Sequence, residues 1–168
     1  YQIDKIKLNK IIKNIYNHLN DKKDTFHTLS KKFTINLKKS SLKKFTKHKS
    51  VILIGMGGSI LGARSIYYFL KQKISKNFIF LDNLDQLKLE YIKKKINLKK
   101  SLFIIISKSG NTIETLVNSS LLKDKMNSKN TIIITEQKNN LLNTFAKNKQ
   151  ILQLSHKDYI GGRYSVLS

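Results

Sequence analysis

The stretch FIIISKSGNTIETL, residues 103–116, places four β-favouring apolar residues directly before a polar loop and an acidic, helix-like segment. The apolar run is short enough for a buried strand, and Ser, Gly, Asn and Thr are typical of a loop that starts a helix. The stretch therefore predicts a strand, a tight loop and a helix in succession.

The same alternation recurs from Ser50 onward and predicts the fold class. Short apolar runs alternate with longer amphipathic segments, which is typical of βαβ units with a parallel sheet. We predict a doubly wound α/β/α sandwich with a five-stranded parallel sheet of flavodoxin-like type, preceded by N-terminal helices. The predicted strands are residues 51–55, 77–81, 101–107, 130–135 and 150–154, and the predicted helices are 59–72, 84–96, 112–126 and 139–147.

Residues 1–49 form a separate, N-terminal helical segment in this interpretation. Apolar residues between Leu8 and Leu19 follow the helical period, and Phe26, Leu29, Phe33 and Leu37 suggest a second helix that starts at Asp24 or Thr25. The lysine-rich residues 38–49 are the best candidate for a connector. The α/β domain then covers residues 50–168.

Composition excludes several classes of protein. The chain has no cysteine, which excludes disulfides and thiolate metal sites, and no apolar run of the roughly 18 residues needed to span a bilayer. We expect a cytoplasmic protein with no membrane partner. The formal net charge of +23 is typical of nucleic-acid binders, but almost all of it comes from lysines spread along the whole chain. Because Ile and Asn are abundant as well, genome composition explains the charge better than nucleic-acid binding does.

Glycine is scarce, and its positions are therefore informative. All seven glycines lie in three segments, GMGGSILG (55–62), SKSG (107–110) and IGGR (160–163). These segments follow the first, third and fifth predicted strands. Ligands of doubly wound folds bind beyond the carboxyl ends of the strands, so the sequence predicts a site at that edge of the sheet.

The SKSGNT loop suits a phosphate group. A loop that opens a helix presents free backbone N–H groups at the positive end of the helix dipole, and Ser107, Ser109 and Thr112 add hydroxyl donors. Gly110 lets the backbone approach a ligand closely, and Lys108 adds a charge if it does not point to solvent. An ordinary helix capped by Ser109 or Thr112 remains the alternative.

The other two glycine segments support the same site. Gly58 allows close approach after the first strand, and Ser59 faces the same edge; the segment lacks both the dinucleotide pattern and the ending of a P-loop. Arg163 follows two glycines. It either forms a salt bridge, for example with Asp158, or supplies a fixed cation over developing negative charge.

Taken together, GMGGSILGAR, SKSGNTIET and GGRYSVLS resemble the glucose-6-phosphate isomerase (phosphoglucose isomerase) family, and residues 50–168 resemble its first sugar isomerase (SIS) domain. The resemblance implies interconversion of glucose 6-phosphate and fructose 6-phosphate through a cis-enediol, in glycolysis and gluconeogenesis, without a cofactor or metal. It implies that Ser107, Lys108, Ser109 and Thr112 hold the phosphate, that Gly58, Ser59, Gly110 and Asn111 complete the substrate site, and that Arg163 is catalytic.

The chain departs from the family in length. The family has a second SIS domain that carries a glutamate base, a histidine and a lysine, and no segment here matches it. We expect the 168 residues to bind sugar phosphate weakly without isomerising it, and the full-length protein to be a homodimer without nucleic-acid partners. The alternative is a non-catalytic regulatory SIS module that binds sugar phosphate; such a module needs the SKSG loop but not GGRYS.

Overall fold

The computed structural model describes residues 4–35 and 37–167 and contains a five-stranded sheet in which all neighbouring strands are parallel. The strand order is β2-β1-β3-β4-β5. This arrangement confirms the predicted five-stranded α/β fold, and each predicted strand is present within two residues of its expected start. The strands are β1 (Ser50–Gly55), β2 (Asn77–Leu81), β3 (Ser101–Ile106), β4 (Thr131–Thr135) and β5 (Leu152–Ser155).

Helices connect each strand to the next, as expected for parallel strands. The α-helices are α1 (Lys5–Asn20), α2 (Lys39–Leu42), α3 (Gly58–Leu70), α4 (Gln86–Lys95), α5 (Ile113–Ser120) and α6 (Leu141–Asn148). Short 3-10 helices follow several of these, and one, Gly162–Leu167, comes after β5. No helix in the described part of the chain is both long enough and apolar enough to cross a bilayer.

Apolar residues cover both faces of the sheet, which is why the strands read as nearly continuous apolar runs. On one face, Ile52 and Ile54 of β1 pack with residues of α4, α5 and α6 such as Ile92 and Leu142. On the other face, Leu53 packs against Ile60 of α3. The sheet is therefore the middle layer of three, with α3 on one side and α4, α5 and α6 on the other.

The N-terminal segment matches the sequence prediction only in part. Helix α1 is present and begins at the capping side chain of Asp4. The second helix predicted through Phe33 and Leu37 is wrong: a single 3-10 helix, Thr25–Leu29, ends at Ser30, and the described residues that follow form a turn and irregular backbone. Asp24 caps this short helix as expected, by accepting a hydrogen bond from the Phe26 N–H.

The order of the strands determines where a ligand can reach the sheet. The chain runs from β1 outward to β2 on one side, whereas β3, β4 and β5 follow on the other side. The connections on the two sides of the β1–β3 boundary therefore diverge and leave a crevice at the carboxyl ends of these strands, which is where doubly wound folds bind ligands.

Candidate functional site

Strands β1 and β3 end side by side at this crevice. Gly55, the last residue of β1, pairs with Ile106, the last residue of β3. A Cβ atom on Gly55 would lie 2.9 Å from the carbonyl oxygen of Ile106 and 3.3 Å from the Cβ of Ser59. A larger residue at position 55 would therefore push the strands apart, and Ser59 lies close to the end of β1.

The two helices that begin at the crevice have no side-chain cap. Three helices elsewhere start with an acidic or amide side chain that accepts hydrogen bonds from the first turn, namely Asp4 for α1, Asp85 for α4 and Asn140 for α6. In contrast, α3 starts after Gly57 and α5 starts after Thr112, and neither residue makes a capping side-chain hydrogen bond. The first-turn N–H groups of α5 therefore remain available to an anion. In α3, the N–H groups of Ser59 and Ile60 already donate to the carbonyl oxygens of Met56 and Gly57, so this helix contributes mainly the positive end of its dipole.

The hydroxyl groups of the SKSG loop form a small network at the start of α5. Ser107 is buried, and its Oγ lies 3.0 Å from the Oγ1 of Thr112 and accepts a hydrogen bond from the Gly110 N–H at 3.1 Å. Ser109 is exposed, and its Oγ accepts from the Asn111 N–H at 3.3 Å. The predicted hydroxyl residues thus lie together in one loop, with Ser107 at its base and Ser109 at its rim.

Gly110 has a backbone conformation and surroundings that only glycine fits. Its φ is +69°, and a Cβ built on it would lie 2.2 Å from the side-chain Cγ of Asn140, the N-cap residue of α6. The loop is therefore packed directly against the start of α6. Asn111 strengthens this contact, because its Oδ1 accepts a hydrogen bond from the Leu141 N–H at 3.1 Å.

The side chain of Lys108 contacts residues that follow β4 and β5 in the chain. Its Nζ donates to the carbonyl oxygen of Asp158 at 2.7 Å and lies 3.4 Å from Oε1 of Glu136. Glu136 also pairs with Lys138, at 2.9 Å between Oε2 and Nζ. The ammonium group of Lys108 is therefore already bound to protein oxygen atoms and holds the loop in place.

Glu136 is a buried carboxylate that the sequence analysis did not identify. The hydrogen bond from Lys138 lowers its pKa, burial acts in the opposite direction, and the hydrogen bond from Lys108 lowers it further, so the pKa lies below the ordinary value of 4.5. The pairing also raises the pKa of Lys138. An acid that directly follows a buried strand at the carboxyl edge is the signal that could have identified Glu136.

The third glycine segment lies beside α3. After β5 the chain passes through the buried Ile160 into the 3-10 helix Gly162–Leu167, which packs against α3. This places the backbone of Arg163 in a segment that packs against α3. The side chain of Arg163, and with it the predicted choice between a salt bridge and a catalytic cation, lies outside the described residues.

Two buried polar atoms of α5 have no hydrogen-bond partner among the described residues. They are the Oγ1 of Thr115 and the Oδ1 of Asn118, and both side chains are 1% exposed. The amide nitrogen of Asn118 donates to the carbonyl oxygen of Asn83, which follows β2.

Among residues 4–35 and 37–167, no group of three or more His, Asp or Glu side chains could hold a metal ion.

Comparison with known proteins identifies the family of this chain. Residues 6–168 match the sequence profile of the phosphoglucose isomerase family. The chain belongs to the phosphoglucose isomerase family. The resemblance carried by GMGGSILGAR, SKSGNTIET and GGRYSVLS is thereby confirmed.

Individual relatives of this family agree with the match. The glucose-6-phosphate isomerase of Methanocaldococcus jannaschii is 40% identical over 130 residues, which are 75% of this chain and 32% of that protein. The glucose-6-phosphate isomerase of Borreliella afzelii is 37% identical over 145 residues, 79% of this chain and 27% of that protein. The chain thus spans about a third or less of the length of these curated relatives.

A solved structure shares the fold as well. The crystal structure of a glucose-6-phosphate isomerase from Chlamydia trachomatis superimposes with a TM-score of 0.65 and 25% sequence identity, over 76% of this chain and 26% of that one. The predicted SIS-type fold is confirmed by this likeness.

The contact between Gly110 and Asn140 generates a stability prediction. We expect Gly110→Ala to lower the free energy of unfolding by about 2–4 kcal/mol, because it adds a strained positive φ and a clash with Asn140. Urea unfolding measures the change. The control is Gly162→Ala, where the added Cβ meets no atom within 4 Å; equal effects of the two variants would contradict the packing described here.

The pairing of Glu136 generates a pH prediction. The pKa of Glu136 is lowered in the folded protein, so its contribution to stability is present above the unfolded-state value near 4.5 and is lost as the pH falls through the lower, folded-state pKa. We expect Glu136→Gln to be less stable than the parent chain at pH 7, with the difference shrinking below about pH 4.

Urea unfolding at a series of pH values measures this difference. Glu90→Gln is a matched control, since Glu90 pairs with Lys94 on an exposed face of α4 and such pairs contribute little. A stability difference that is the same at pH 7 and pH 3 would show that Glu136 does not act through its charge.

Proposed function

We propose that this chain is the phosphate-binding part of a glucose-6-phosphate isomerase, which interconverts glucose 6-phosphate and fructose 6-phosphate. The observation that carries the proposal is the pair of helices without side-chain caps, α3 and α5, which begin beside each other beyond β1 and β3. Two positive helix ends at a single crevice, with the first-turn N–H groups of α5 free of side-chain caps, are suited to a dianion. The names of the relatives make a hexose 6-phosphate the natural ligand.

The SKSG loop is the proposed binding site of the phosphate group. The hydroxyls of Ser107, Ser109 and Thr112 lie at the start of α5 and can turn their protons toward phosphate oxygen atoms. Gly110 and Asn111 hold the loop against α6. Lys108 contributes its main-chain N–H and its charge, while its ammonium group stays with Glu136 and the Asp158 carbonyl.

The first glycine segment is proposed to contact the sugar. Gly58 and Ser59 begin α3, and Ser59 lies close to Gly55, which pairs with the residue that precedes the SKSG loop. A sugar attached to the phosphate would therefore extend past the start of α3 toward the segment that contains Arg163.

Arg163 is the proposed catalytic residue of this chain. An arginine stays protonated, so it can stabilise the negative charge of a cis-enediolate as a proton moves between C1 and C2. The packing of Gly162–Leu167 against α3 supports this role, because α3 is the helix that follows the first glycine segment. It also favours the enzyme over the regulatory SIS module, which needs no such segment.

The base that moves the proton is proposed to lie outside these 168 residues. The relatives are about three times as long as the matched region, and the family resemblance places a glutamate base in a second SIS domain. Helix α5 leaves Ile113, Val117 and Leu121 exposed at a spacing of four residues. This apolar stripe is suited to packing by a further domain of the full-length protein.

The hydroxyl network generates a binding prediction. We expect Ser107→Ala with Thr112→Ala to weaken the binding of fructose 6-phosphate about 10- to 100-fold, because two hydrogen bonds to a charged group are lost. Isothermal titration calorimetry measures the affinity. Thr46→Ala with Ser65→Ala removes two hydroxyls that donate to carbonyl oxygens away from the site, and serves as the control. Unchanged affinity in the site variant would refute the phosphate site.

The absence of a base generates a prediction about activity. The purified 168-residue chain should bind fructose 6-phosphate without converting it to glucose 6-phosphate, because the proposed base belongs to a further domain. A coupled assay for glucose 6-phosphate measures the conversion. Sustained turnover that is abolished by Arg163→Ala would contradict the proposal and would place a base within this chain.

A further inference from the structure

A second positively charged site lies at the opposite edge of the sheet. A cavity of about 610 Å³ opens where β1, β3 and β4 begin, and we refer to it as the amino-edge cavity. Five of the ten residues that line it are lysines: Lys47, Lys49, Lys99, Lys100 and Lys129. Because the candidate sugar-phosphate site lies beyond the carboxyl ends of the strands, the amino-edge cavity is distinct from it.

The charge of this cavity exceeds what the composition of the chain explains. Lysine and arginine together make up 33 of the 168 residues, whereas lysine alone makes up half of the cavity lining, which includes no acidic residue. Among the ion pairs of the described residues, none includes any of these five lysines. Like charges gathered around one cavity repel each other, and a bound anion would relieve that repulsion.

A buried histidine fixes the backbone that carries two of these lysines. His48 is 6% exposed, and its Nδ1 lies 3.0 Å from the carbonyl oxygen of Lys100 while its Nε2 lies 3.3 Å from that of Lys129. The imidazole thus bridges the segments that precede β3 and β4.

The lining indicates the chemical class of the ligand. It contains no Phe, Tyr or Trp side chain, and the imidazole of His48 is only 6% exposed, so it offers little surface on which a nucleic-acid base could stack. Its volume is within the range of small-molecule sites. Lysine ammonium groups bind phosphate as point charges, and five of them around one cavity suit several negative charges held close together. We propose that the amino-edge cavity binds a compact polyphosphate chain, either inorganic or as the phosphate tail of a nucleotide.

Calorimetric titration with sodium tripolyphosphate at 0.15 M salt tests this proposal. Lys99→Gln with Lys129→Gln removes two cavity charges while keeping most of the side-chain length. We expect this variant to bind tripolyphosphate at least about tenfold more weakly, which corresponds to the loss of charge-assisted hydrogen bonds. Lys13→Gln with Lys22→Gln makes the same change in net charge at exposed positions on and after α1, and should change the affinity less than twofold.

Further titrations locate the bound tripolyphosphate and test whether the protein recognises the phosphates alone. The Ser107→Ala, Thr112→Ala chain should bind tripolyphosphate as well as the parent does, and ATP should bind with the same affinity as tripolyphosphate because the phosphates alone are recognised. Equal weakening by the two lysine pairs, or loss of binding in the Ser107→Ala, Thr112→Ala chain, would overturn the proposal. So would ATP or a single-stranded oligonucleotide binding tenfold more tightly than tripolyphosphate through the same lysines.

Discussion

The helix ends at the β1–β3 boundary are the feature on which the proposed function of this chain depends. A helix normally satisfies its first N–H groups with a side chain, as α1, α4 and α6 do here. Helices α3 and α5 do not, nor does the one-turn helix α2, but α3 and α5 are the two that begin where the strand order opens a crevice. Leaving these donors without a side-chain partner lowers the stability of the helices, and a bound phosphate would restore it.

The surroundings of the SKSG loop keep these donors in position. Gly110 packs against Asn140, Asn111 binds the start of α6, and Lys108 reaches Glu136 and the end of β5. The loop is therefore attached to α6, β4 and β5 rather than only to its own strand and helix. Donors held in this way need little rearrangement when an anion binds, which is the physical meaning of a preorganised site.

The sequence predicts the sheet well because its signal is local. Runs such as VILIG and SLFIII are rich in β-branched residues and end at Gly or Ser, so both the strands and their order along the chain follow from the pattern. The prediction of a second N-terminal helix through Phe33 and Leu37 was wrong. Apolar residues at these positions fit the helical period, but the helix that Asp24 caps ends at Leu29.

The candidate site, too, could be predicted from the sequence only where its residues are close together in the chain. Ser107, Ser109, Gly110 and Thr112 could be predicted, since they adjoin one another in the sequence. The contacts of Lys108 with Glu136, and of Asn111 with Leu141, join residues 28 and 30 positions apart and could not be read from any single segment. The cavity beside His48 likewise depends on three segments that meet only in the folded sheet.

The most direct measurement is a backbone amide NMR titration of the ¹⁵N-labelled chain with glucose 6-phosphate. We expect the largest shift changes at residues 57–60 and 107–115, which include the starts of α3 and α5. The amides of residues 47–50 and 97–100, at the amino edge of the sheet, should change little. Shift changes confined to the amino edge, or spread evenly over the lysine-rich surface, would contradict the claim that these helix ends hold the sugar phosphate.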